Sequence, residues 1–294
     1  TGCEANLATA RALAPDRLRL VRATVSQAAA DAGLGGFDAI FHLAAAVGVR
    51  RVMESPVESI ETNVVETAAA IRMASRSGVP ILVASSSEVY GKASKLPFSE
   101  GDDVVYGPTS VTRWSYGCSK ALDEYLALAA HRSSGLPVVI ARIFNTVGPR
   151  QVGAWGMVLP RFVGAALAGR PLEVHGDGRQ SRCFADVRDV ARGLEALLET
   201  KAAVGGIFNI GSDRSISIRE LAEVVIRRVG SSSAIVNVPY ATVFGEGFED
   251  LRARQPDLSR IRAVTGFDAQ TPLERTIDDV AATIQAARRA GDAA

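Results

Sequence analysis

Residues 80–91 read Pro-Ile-Leu-Val-Ala-Ser-Ser-Ser-Glu-Val-Tyr-Gly, and residues 137–144 read Pro-Val-Val-Ile-Ala-Arg-Ile-Phe. Each opens on a short, unbroken apolar run, as strands do when both of their faces are buried. Working outward, the spacing predicts a helix from about Trp114 to Arg132 between them. Before them it predicts a helix from about Pro56 to Ser77, with Asn63 inside it, and a strand over Asp38–Ala44. Arg17–Arg22 reads as one more short strand. Strand, helix, strand in this order predicts an α/β fold built on a doubly wound parallel sheet. From Gly148 onward the texture changes to loops rich in Gly, Pro and Arg, and Gly206–Gly211 looks like a last strand returning to the sheet. The predicted division is a sheet domain over 1–148, rejoined by 183–212, with a smaller C-terminal cap from 149–182 and 213–294. The alanine-rich end, Ala281–Ala294, reads as a fraying surface helix.

Composition narrows the function classes. An apolar fraction of 47% fits a well-packed globular chain of 294 residues. Thirty-three basic against 32 acidic residues leave none of the basic excess that a dedicated nucleic-acid binder shows. No run approaches the ~18 apolar residues of a membrane span, and no signal peptide opens the chain. The three scattered cysteines, Cys3, Cys118 and Cys183, have no metal-ligand spacing, so no metal site is predicted. They point to a reducing, cytoplasmic setting.

Residues 113–120, Arg-Trp-Ser-Tyr-Gly-Cys-Ser-Lys, carry the chemistry. Tyr116 and Lys120 are four apart, so on a helix they share one face. An ammonium near a phenol favours the phenolate and draws its pKa down toward neutrality. Such a base can take a proton from a hydroxyl while hydride leaves the same carbon. Ser86, at the end of a buried strand, offers a second hydrogen bond to that oxygen.

These residues resemble the extended short-chain dehydrogenase/reductases that modify nucleotide sugars. The resemblance covers nearly the whole chain. His42-Leu-Ala-Ala-Ala46 is similar to the family's strand-end segment beside the cofactor; it implies NAD contacts from Leu43, Ala44 and Ala45, with Asn63, Tyr116 and Lys120. Arg142–Arg150 resembles the segment whose asparagine, here Asn145, lies near the sugar diphosphate. Arg182–Asp189 resembles one whose leading arginine contacts a phosphate, and Phe208–Gly211 and Arg254–Asp257 continue the pattern in order. The resemblance implies a Rossmann-like fold, NAD as cofactor, a UDP-sugar as substrate, substrate contacts from Asn145, Arg182 and Arg254, and a homodimer formed through the helix that carries Tyr116. The family's opening Gly-x-x-Gly-x-x-Gly turn is not found, so the chain reads as starting about one βαβ unit into the pattern. Loss of ordinary cofactor binding is the other reading of that departure.

Ser87-Glu88 before Val-Tyr-Gly, and Gln180-Ser-Arg182-Cys-Phe, resemble UDP-glucuronate decarboxylases. Oxidising C4 of a glucuronate makes a β-keto acid that can lose carbon dioxide. A cation stabilises the developing charge, and an acid or its bound water returns a proton to C5. Ser86, Ser87, Glu88, Tyr116, Lys120 and Arg182 are therefore the expected catalytic set, with Glu88 and Arg182 specific to decarboxylation. A nucleotide-sugar 4-epimerase is the alternative, and a non-catalytic sugar-nucleotide or dinucleotide sensor is the alternative from another class.

Overall fold

The computed structural model describes residues 3–31, 35–153, 156–245 and 251–291; the end of the alanine-rich tail lies outside them. Its strands in chain order are β1 (Ile40–His42), β2 (Ile81–Ser86), β3 (Val138–Ile143), β4 (Thr146–Val147), β5 (Leu172–His175), β6 (Ser181–Cys183), β7 (Ala185–Asp186), β8 (Ile207–Ile210), β9 (Ser215–Ser217), β10 (Ile235–Val238) and β11 (Ala253–Arg254). The central sheet is all parallel in the order β1-β2-β3-β8.

Side-chain alternation along the strands places one core on each face. Ile81, Val83, Val138 and Ile140 meet Ala70, Ile71 and Ala74 of the Pro56–Ser77 helix and Ala127 of the Ser115–Ser134 helix. Leu82, Val139 and Ala141 face the other way, onto Val190, Leu194 and Leu197 of the Val187–Glu199 helix. A third core, around Leu159, Phe162, Leu172, Leu221, Val225 and Ile277, joins the Val158–Ala166, Ile218–Val229 and Leu273–Gly291 helices to β5. Small sheets surround it: β5 pairs with β10, β6 lies between β11 and β9, and β4 pairs with β7.

Two expectations change. Arg17–Arg22 forms no strand; its first residue ends a 3-10 turn and most of the segment is exposed, so its apolar residues have no sheet neighbour to pair with. Residues 258–269 pack beneath the central sheet through Leu258, Ile261, Phe267 and Ala269, rather than with the cap. The alanine-rich end continues the Leu273–Gly291 helix along the surface, with Ala281 and Ile284 against the third core and residues 285–289 exposed. The register of the Tyr116 helix agrees with its sequence: a 3-10 turn over Thr112–Trp114 runs into the Ser115–Ser134 helix, which ends at Gly135 in the left-handed conformation (φ 71°) that glycine adopts without a Cβ clash.

Candidate active site

The carboxyl ends of β1, β2 and β3 open onto one cavity of about 400 Å³. Ligands of open parallel sheets bind at that edge, because helix N-termini and loops converge there. The serine run supplies its floor. Ser86 Oγ accepts the backbone N–H of Glu88 at 3.2 Å, starting the turn Ser87–Tyr90. The Tyr116 hydroxyl shares a hydrogen bond with Ser86. Gly117 permits this approach, since a Cβ there would sit 2.5 Å from the carbonyl oxygen of Glu88.

Glu88 lies between two buried guanidiniums. Arg113 grips both of its oxygens, at 2.8 and 3.1 Å, and Arg254 reaches Oε1 at 2.5 Å. Burial opposes the charge, but Arg254 and then Arg113 outweigh it and hold the carboxyl at about 2. Of the two expected sources of the C5 proton, the acid or its bound water, these charge-assisted bonds to Glu88 favour the water. Arg182 also lines the cavity, held by Nη1 donating to the carbonyls of Ser181 (2.7 Å) and Leu251 (2.9 Å).

Ser86, Ser87, Glu88, Tyr116, Asn145, Arg182, Arg254, Leu43 and Ala45 all line this cavity. Ala44 is exposed outside it. Asn63 lies beneath: its Oδ1 accepts from Ala46 N (2.8 Å) and its Nδ2 donates to Ser119 Oγ (3.0 Å). One bond at each end of that amide holds Asn63 against the loop after β1. Lys120 is buried to 1% exposure and is not among the lining residues. Its Nζ donates to Asp123 Oδ2 at 2.8 Å.

The expected activation of Tyr116 is corrected. Burial first, and then the charge of Glu88, raise the phenol's pKa; the bond to Ser86 lowers it only in part, and Asp123 raises it further. A helix spacing sets which residues share a face, but not which partner the ammonium takes.

Four residues with no sequence-derived role also line the cavity: Arg113, Arg161, His175 and Tyr240. Arg113 was visible in the Arg-Trp-Ser-Tyr motif. Arg161 Nη1 donates to His175 Nε2 at 2.6 Å, a pairing across fourteen residues that no short motif marks.

The residues present fit the nicotinamide end of a dinucleotide. Apolar Leu43 (54% exposed) and Val47 flank the end of β1, and Asn145 Oδ1 and Gln151 Oε1 are buried in the cavity with no protein partner. A model of the NAD dependent epimerase/dehydratase family matches residues 4–211. The chain belongs to this family. It is 42% identical over 243 residues to a UDP-N-acetyl-alpha-D-glucosaminuronate decarboxylase of Bacillus cytotoxicus, covering 82% of this chain and 75% of that one. It is 33% identical to UDP-glucuronic acid decarboxylase 1 of Xenopus tropicalis, over 82% of this chain and 55% of the relative; the chain thus spans about half the length of that protein. Among solved structures, DesIV, a dTDP-glucose 4,6-dehydratase from Streptomyces venezuelae with NAD and TYD bound, superposes with a TM-score of 0.86 at 28% identity, covering 98% of this chain and 85% of that one. The doubly wound, Rossmann-like fold is therefore shared with NAD-binding relatives.

Proposed function

We propose that this chain carries the NAD-dependent decarboxylation of a UDP-linked glucuronate, with or without a 2-acetamido group. The charge of the cavity supports this reading most directly. Among the described lining residues, four arginines (Arg113, Arg161, Arg182 and Arg254) face a single carboxylate, Glu88. A UDP-uronate brings a diphosphate and a carboxylate to such a site, whereas a UDP-hexose lacks the last anion. Guanidinium groups lining a partly enclosed cavity favour an anionic ligand.

NAD, when bound, supplies the hydride acceptor for C4. Tyr116, bonded to Ser86, takes the proton of the C4 hydroxyl once it is itself deprotonated. The resulting β-keto acid breaks its C5–C6 bond, and the electron pair passes into an enolate whose charge the arginines offset. Glu88, an anion at this pH, holds Arg113 and Arg254 in place, and the proton returning to C5 comes from water. Asn145 and Arg182 bind the diphosphate, as the resemblance implies. The cap expected over 149–182 and 213–294, without the 258–269 segment that packs under the sheet, is the unit that binds the sugar nucleotide.

A homodimer and a cytoplasmic setting belong to the same reading. The paired helices Pro56–Ser77 and Ser115–Ser134 leave Val57, Val65, Leu122 and Tyr125 exposed, which supports association through them. The three free thiols fit a reducing compartment, and no helix among the described residues is long and apolar enough to cross a membrane.

The test is incubation of the protein and NAD with carboxyl-labelled UDP-glucuronate and, separately, its 2-acetamido counterpart. Labelled carbon dioxide and a UDP-pentose, or its 4-keto form, are expected from one of them. UDP-galacturonate alone, with no carbon dioxide, would replace this reading with epimerisation. No product from either would favour the sensor.

A further inference from the structure

The Tyr116–Lys120 pair extends one step further along its helix than the chemistry requires. Asp123, three residues past Lys120 and seven past Tyr116, lies on the same helical face. Both charges of the Lys120–Asp123 pair are buried, with side-chain exposures of 2% and 0%. From the Pro56–Ser77 helix, Thr67 shares a hydrogen bond with His42 Nε2 of β1 (3.0 Å), while the second carboxylate oxygen of Asp123, Oδ1, is buried with no partner among the described residues. We infer that Asp123 is a positioning residue: by holding the Lys120 ammonium and setting its own negative charge near Tyr116, it fixes the pH above which Tyr116 can act as a base. The inference rests on Tyr116 being the base of the proposed reaction.

The surrounding charges leave this role to Asp123. His42 is neutral, since burial and then the Lys120 charge depress its pKa to about 4. Glu66 faces His42 rather than Tyr116, and it also accepts Ser26. Glu124, next to Asp123, is committed to Arg142 and Ser85. On the cavity side Tyr116 meets Ser86 and Glu88, and Glu88 is matched by Arg113 and Arg254. Lys120, one helical turn on from Tyr116, has Asp123 as its ion-pair partner, and Arg254 is the cation that favours the phenolate from the cavity side. An ammonium bound to a carboxylate acts on a third group as a dipole, with a field much weaker than that of a free charge. Removing the carboxylate leaves the cation acting on Tyr116 alone.

Tyrosine labelled at ring carbon Cζ reports ionisation by NMR without NAD or sugar nucleotide, and the Tyr116 resonance is identified by its loss in Tyr116→Phe. In Asp123→Asn its titration midpoint is expected to fall by about one pH unit or more. The acid limb of the kcat profile should move down with it. Asp123→Glu, which keeps the charge, should return the midpoint to within about half a unit of wild type. Asp123→Ser leaves room for a water on the ammonium, so it serves as a second neutral variant and should shift the midpoint in the same direction. An unchanged or raised midpoint in either folded neutral variant would overturn the inference. Failure of both to fold would also overturn it, by making the pair purely structural. Because the titration needs no turnover, a chain that released no carbon dioxide but showed the downward shift would lose the proposed reaction and keep this role for Asp123.

Discussion

Tyr116 is at once the base of the proposed reaction and a phenol whose surroundings resist ionisation. Tyr116→Phe is expected to lower kcat by at least about 10²-fold, the usual cost of losing a general base. KM should change little, because the proton transfer belongs to the transition state; isothermal titration with the sugar nucleotide would verify that binding survives. Glu88 gives a second outcome. Its folded pKa, about 2, lies below the 4.5 of a free glutamate. A depressed carboxylate contributes stability that is fully present above pH 4.5 and is lost as pH falls toward 2. Glu88→Gln lacks that dependence, so its thermal midpoint should fall less steeply between those values than that of wild type. Equal slopes in a pH-resolved melting series would show that Glu88 is not the ion its two arginines imply. At the same scale, Arg182→Lys keeps the charge and loses the planar fork. If Arg182 binds the diphosphate, KM should rise about tenfold or more with kcat nearly unchanged; an equal fall in kcat would instead place it at the decarboxylating carbon.

Elements are joined by polar bonds as well as apolar faces. Arg142 of β3 donates to Glu124 of the Ser115–Ser134 helix through Nε (2.9 Å) and Nη2 (2.8 Å), while Ser85 of β2 donates to the same carboxylate at 2.5 Å. This buried fork sets the Tyr116 helix against the sheet. Arg142→Met removes one partner and leaves a carboxylate in a dry site, an effect of about 3–5 kcal/mol that urea denaturation can measure. Two motifs recognised only by their order acquire a physical role here. Asn209 accepts the Tyr90 hydroxyl (2.7 Å) and donates to the carbonyls of Phe98 (2.9 Å) and Asp257 (3.2 Å). In this way β8, the serine turn and the segment leading from Arg254 are tied together, and Arg254 is brought to Glu88.

On the scale of the whole molecule, the unpartnered faces of the two paired helices decide whether subunits associate. Tyr125 is 64% exposed and Leu122 45%, on one stripe of the Ser115–Ser134 helix. The double substitution Leu122→Glu/Tyr125→Glu would place charges where apolar surface is buried in a dimer. Sedimentation at micromolar concentration is expected to show a dimer for the native chain and a monomer for the variant. A monomeric native chain would end that proposal without touching the site, which one chain builds from its own residues.

Much of this protein was legible in residue order. Unbroken apolar runs such as Ile81–Ala84 and Val138–Ala141 require burial on both faces, and that requirement yields the parallel sheet. The four-residue spacing of Tyr116 and Lys120 follows from the helical repeat and holds in the structure. Short strands were less legible. Arg17–Arg22 has a strand's composition, but a strand exists only where a neighbour accepts its hydrogen bonds. Partner choice was not legible at all. Glu88 takes Arg113 from 25 residues away and Arg254 from far along the chain, and Lys120 takes Asp123 in preference to the phenol. Periodicity and local chemistry act over a few residues, so the sequence by itself determined the main helices, the parallel sheet and the shared helical face of Tyr116 and Lys120. Charge acts through space and through burial. Only the tertiary structure decided that Arg254 and Arg113 draw the Glu88 carboxyl down, that burial and Glu88 push the Tyr116 phenol up, and that Lys120 pairs with Asp123.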